Sequence, residues 1–209
     1  MRKIFCLFAA LFFALNLMAQ DFRTSGRKAV QLAPRDWTVE ESRGDLNKDG
    51  IADLLILATP HDESKAGFND NFEWVDSNRP VLAVYWGSSS GIYRLYKTFP
   101  QYFGDLEGDS QIAYSAQITP RGTIRLQKAV KNTDGSNTVV EIFRWQNGGF
   151  FKIGHSEEVY SRSSGVTVLD SYNYSIRRLQ HLEYRGDPDS DPGKQEQWTD
   201  LPDNPLERL

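Results

Sequence analysis

The chain has 209 residues, with 24 basic and 28 acidic side chains and a formal net charge of −4. That balance lacks the basic footprint general nucleic-acid binding needs, and no nucleic acid is expected as a partner. The length fits one domain or at most two small ones, and a single cysteine, Cys6, allows no disulfide within the chain.

Residues 1–19 read as a secretory signal peptide. Arg2 and Lys3 form a positive start, positions 4–17 are apolar apart from Asn16, and Ala19 supplies the small residue a signal peptidase needs. The apolar run is about 14 residues, short of the roughly 20 that span hydrocarbon, so cleavage is expected over anchoring. Only five residues precede Cys6, too few for a lipoprotein leader. Export to the periplasm, the cell surface or the medium follows. The cleaved chain has no thiol, so its stability must come from core packing, a metal, or both. No later segment approaches transmembrane length.

Residues 20–185 are expected to form one mainly β domain of antiparallel hairpins. Its most informative stretch comes first. Asp45, Asn47 and Asp49 fall at alternate positions, Gly50 stands sixth, Ile51 seventh and Asp53 ninth. Oxygen donors at this spacing, with a glycine to turn the chain, suit a hard cation, and calcium with its six to eight oxygen ligands suits best. The expected ligands are the side chains of Asp45, Asn47, Asp49 and Asp53 and the carbonyl of Ile51. Magnesium is disfavoured because it demands a tighter octahedron.

An apolar run at 54–58 reads as a buried strand. Strands at 81–86 and 92–97 flank a glycine-containing turn. Another pair, 111–119 and 123–130, flanks Pro120, Arg121 and Gly122, which carry turn chemistry. Asp134 and Gly135 mark the next turn. The strongest hairpin joins 138–145 to 150–153 through Asn147 and Gly148, the preferred dipeptide for a tight turn. Positions 166–168 look extended, whereas Ile176, Leu179 and Glu183 fit either a strand or a short helix.

The loop and the strand after it resemble the calcium loop of FG-GAP and VCBS-type repeats of integrin-like propellers. It departs from the EF-hand, because Ile56 stands where a bidentate glutamate would be and a strand, not a helix, follows. More loosely, residues 35–180 resemble exported bacterial proteins of uncharacterised function, which implies no activity. Gly104, Asp105 and Leu106 repeat the opening of the loop, but Ser110 replaces the glycine and Ala113 the last aspartate. One calcium loop, and not a complete propeller, is therefore expected.

Two segments stand apart. Residues 59–80 exceed the roughly 12–15 residues usual for a structureless loop. They carry Phe68, Phe72 and Trp74 among acids, which suits sugar stacking or a protein hot spot; the plainer expectation is that these rings tuck into the core edge. Residues 186–209 are polar and proline-rich, and a mobile tail is expected. His155 with Glu157 and Glu158, His61 with Asp62 and Glu63, and Ser88 to Ser90 lack the spacing of a zinc site or a nucleophile elbow. The reading is an exported calcium-binding module for a glycan or protein partner. An extracellular hydrolase and a periplasmic inhibitor or immunity protein are the alternatives.

Overall fold

The computed structural model describes residues 22–68, 72, 74–103 and 111–209. The stretch assigned to a signal peptide and the acidic repeat at 104–110 lie outside them. Among the described residues fourteen strands run in order: β1 (Ser25–Gly26), β2 (Thr38–Gly44), β3 (Asp53–Thr59), β4 (Ala66–Phe68), β5 (Trp74–Asp76), β6 (Val81–Trp86), β7 (Tyr93–Phe99), β8 (Gln111–Ile118), β9 (Thr123–Lys131), β10 (Gly135–Gln146), β11 (Gly149–Ser161), β12 (Val166–Asn173), β13 (Arg178–Tyr184) and β14 (Gln195–Asp200). One helical turn, α1 (Ala29–Leu32), lies between β1 and β2. The protein is mainly β and its strand pairs are antiparallel.

The first sheet has the order β1-β7-β6-β3-β2. Its central strands β3 and β6 are apolar at nearly every position, because both of their faces are covered. Leu54, Ile56, Ala58, Val81, Ala83 and Tyr85 pack against Phe22, Ala29, Leu32 and Ala33 of the N-terminal segment. Leu55, Leu57, Leu82 and Val84 pack instead against Ile118, Ile124, Leu126, Phe143 and Phe150 of the second sheet. Alternation along a strand sends successive side chains to opposite faces, so a continuous apolar run is what a doubly covered strand requires.

The second sheet is a seven-stranded meander, β8 to β14 in sequential order. Asn147 and Gly148 make the β10–β11 turn with φ of 48° and 72°, the two positive values the tight hairpin turn needs. The edge strands β2 and β8 of the two sheets adjoin where the N–H of Ile118 donates to Ser42 Oγ at 2.8 Å. Trp86, Tyr96, Trp145 and Phe150 cluster between them, with ring centroids as close as 4.9 Å.

The choice left open at 176–183 falls to the strand, and one expectation is corrected. Leu179 and Glu183 lie on β13, which forms a hairpin with β12, with Tyr172 opposite Leu179 and Ile176 in the turn. The tail expected to be mobile supplies β14, which pairs with β13 from Glu183–Gln195 to Arg178–Asp200. Backbone pairing holds β14, which is exposed on both faces and carries no apolar alternation for a sequence reading to find. Among the described residues no helix is long and apolar enough to cross a membrane.

Candidate metal loop and aromatic hairpin

The loop at 45–53 connects β2 to β3, and its side-chain oxygens are turned toward its own amides. Asp45 Oδ1 accepts from the N–H groups of Lys48 at 2.7 Å and Asp49 at 3.2 Å, and its Oδ2 from Gly50 at 2.9 Å. Asn47 Oδ1 accepts from the Asp49 N–H at 3.0 Å, while its Nδ2 donates to Asp49 Oδ2 at 3.0 Å. Asp49 Oδ1 accepts from the N–H of Ile51 at 2.8 Å. Gly50 turns the chain at φ 83°.

Asp53 differs from the others. It is fully buried, and its two oxygens accept from the N–H groups of Leu46 and Gly87, each at 2.9 Å. It thereby clasps the start of the loop to the end of β6. Burial pushes its carboxyl above the usual carboxylate range; the amides of Gly87 and Leu46 pull it back, and the negative charge of Asp49 pushes it up again. Its donors are neutral amides, and the ionised form of a carboxyl so buried is costly without a cationic partner.

The donor set therefore suits a hard cation: three carboxylates, an amide oxygen and a carbonyl within nine residues. The side chains are not drawn into a cage. Among the described residues, no three of the acidic, histidine or cysteine side chains converge as metal ligands.

The loop also touches the second sheet. Lys48 Nζ donates to the Arg121 carbonyl at 2.8 Å, in the β8–β9 turn. Gly122 in that turn has φ 69°, and a Cβ there would collide with the Asp45 carbonyl and Lys48 Nζ.

Within 59–80 the described residues of β4 and β5 pair antiparallel as a short hairpin, with Phe68 opposite Trp74. Phe68, Phe72 and Trp74 are 71%, 88% and 56% exposed, so they do not tuck into the core edge. Phe68 and Trp74 meet edge to face with centroids 5.3 Å apart. The hairpin leaves from the end of β3 opposite the loop, about 20 Å away at the rise of a strand. Its base is held by the buried Asn78 instead. The Asn78 side chain donates to Asp76 Oδ1 at 2.8 Å and to the Asp62 carbonyl at 3.1 Å, and accepts from the Asp62 N–H at 3.1 Å.

The discounted polar residues are accounted for. Glu157 accepts from Asn137 and Glu158 from Tyr184, the two lying on opposite faces of β11. Ser88 closes the β6–β7 turn by donating to the Ile92 carbonyl at 2.7 Å. His155 lies within β11, opposite Glu141, with its Nδ1 3.6 Å from Glu141 Oε1.

Glu141 is the centre of a polar cluster that sequence reasoning missed. Lys152 Nζ donates to it at 2.8 Å, and Tyr102 donates to its other oxygen. Burial alone would raise its pKa, but His155, Lys152 and Tyr102 around it hold it down at about 2. A bulge assembles the group. The β10–β11 register slips at Ile142–Phe143, leaving Ile153 unpaired, so Lys152 and His155 share the face of Glu141.

Comparison of the chain with protein-family models, with curated proteins and with solved structures finds no match in any of the three.

Proposed function

We propose that the chain is an exported β-domain, stabilised by one calcium ion, that presents an aromatic hairpin to a glycan or protein partner. The observation that carries the partner-binding half is the hairpin tip. Three large rings stand in solvent on a base anchored by Asn78. Exposed aromatic anchors on a fixed support are what a hot spot needs. Phe72 adds to this, since it is held at φ 60°, where bulky side chains are rarely found.

The calcium half is carried by the loop chemistry. Asp45, Asn47, Asp49 and Asp53 would give side-chain oxygens and Ile51 its carbonyl. Each carboxylate oxygen that accepts an amide N–H keeps a further lone pair, so the hydrogen bonds within the loop are compatible with a cation. The ion would neutralise the buried Asp53 and its repulsion from Asp49, and through Lys48 and Gly122 it would brace the β8–β9 turn. Its role is structural: the hairpin stands at the far end of β3. The likeness to FG-GAP loops rests on residues 45–53 alone, and the five- and seven-stranded sheets favour a lone loop over a propeller.

Partner binding is tested by arraying the protein, and a Phe68→Ala/Trp74→Ala variant, on immobilised glycans and on an exported-protein library. Partners retained by the wild type and lost by the variant support the hairpin; identical profiles contradict it.

A further inference from the structure

A groove beside Glu141 shares no residue with the loop or the hairpin. β12 pairs with β11 only from Gly154 onward, so the edge of Phe150, Phe151 and Lys152 on that side is left open to another strand. Residues 201–209 occupy it. The Lys152 N–H donates to the Glu207 carbonyl at 2.8 Å, the Leu209 N–H donates to the Phe150 carbonyl at 2.9 Å, and Phe151 bridges Arg208 antiparallel. The other end is tied where the Leu201 N–H donates to the Arg177 carbonyl at 2.9 Å. Between the ties, two carboxylates meet two cations. Asp203 pairs with Arg177 at 2.7 Å, and Glu207 pairs with Lys152.

Leu209 at its end packs against the core rim, but three features set residues 201–207 apart from a fixed piece of the core. A cavity of 310 Å³ remains beneath it, bordered by Lys152, Tyr172, Tyr174, Arg177, Pro202 and Leu206. The cavity is partly open to solvent, with room for a side chain that the segment itself does not supply. The carboxylates of Asp203 and Glu207 are largely exposed, so their ion pairs hold weakly and exchange readily. The charge of the groove also depends on the segment: without it, Lys152 loses Glu207 and keeps Glu141, and Arg177 loses Asp203, so the groove gains positive charge.

We propose that this groove is a docking site for an extended acidic segment of a partner protein, added as a strand to the edge at 150–152, with residues 201–209 as its intramolecular occupant. Strand addition supplies main-chain hydrogen bonds, and Lys152 and Arg177 select carboxylates spaced like Asp203 and Glu207. The proposal rests on the binding-module reading only in taking the partner to be a protein. The tethered segment competes at an effective concentration on the order of millimolar, so a partner must displace it. A partner side chain that fills the space over Tyr172 and Tyr174 would favour that exchange.

The test is fluorescence anisotropy with a labelled peptide of residues 201–209, titrated with the full chain. An Asp203→Asn/Glu207→Gln variant, whose own segment is loosened, should bind the peptide about tenfold more tightly than the wild type. A peptide with its two acids changed to amides should bind that variant at least tenfold more weakly, and Arg177→Met added to the variant should weaken the acidic peptide. Equal affinity for both peptides, or no binding to any protein, overturns the proposal. Binding of a uronate trisaccharide without binding of the peptide also overturns it, in favour of an acidic glycan. The Asp49→Ala protein, titrated in parallel, should match the wild type, which keeps failure of the calcium loop distinct from failure of the groove.

Discussion

Glu141 and Gly122 show how single residues tie the two sheets to their surroundings. The Glu141 carboxyl sits at about 2 in the folded protein against 4.5 when free. A depressed carboxylate stabilises the fold fully above the unfolded value and loses that contribution as pH falls from 4.5 toward 2. The shift corresponds to about 3 kcal/mol. Urea unfolding across that range should show the loss in the wild type and a much flatter dependence in Glu141→Gln, which should itself be weaker at pH 7 because Lys152 loses the more buried of its two carboxylate partners. Matching pH profiles would contradict the cluster. Gly122→Val should cost about 1–3 kcal/mol, since a side chain at its positive φ meets the Asp45 carbonyl. Asp53 stood out in the sequence only as a candidate ligand; its clasp on Gly87 was not legible, because that partner lies 34 positions away. The Glu141 cluster was hidden for a related reason: a period of two sends Lys152 and His155 to opposite faces, and only the bulge at Ile153 brings them together.

At the level of elements, strands with a local signal were legible and those defined by distant pairing were not. The buried runs of β3 and β6 and the Asn147–Gly148 turn were read within a residue or so of where they stand. β10 and β11 extend to 12 and 13 residues, beyond the apolar stretches that announced them, because cross-strand pairing carries on through polar positions. The hairpin β4–β5 shows how support and tip separate. Phe68→Ala/Trp74→Ala should leave stability within about 0.5 kcal/mol of the wild type, as exposed positions do. Asn78→Ala should cost about 1–3 kcal/mol, because buried groups at the hairpin base lose their partners. Comparable losses in the two variants would put the rings back in the core. β14 makes the same point for the tail: a stop after Gly186 bares the β13 edge and removes Leu209 from the core rim, and should lower the melting temperature by several degrees.

Across the whole molecule, one sheet is covered on both faces and carries the loop at one end of its central strand and the hairpin at the other. The apolar layers leave over the buried carboxyl of Asp53, whose hydrogen-bond donors among the described residues are backbone amides. Calcium at a hundred times its dissociation constant would add about 2.7 kcal/mol. For a domain of this size that is roughly 5–10 °C in melting temperature. The most direct measurement is a thermal melt in calcium, in magnesium and in chelator, for the wild type and Asp49→Ala. A rise of that order in calcium, absent in magnesium and abolished by Asp49→Ala, is the predicted result. The same melting temperature in all three conditions would contradict the calcium site.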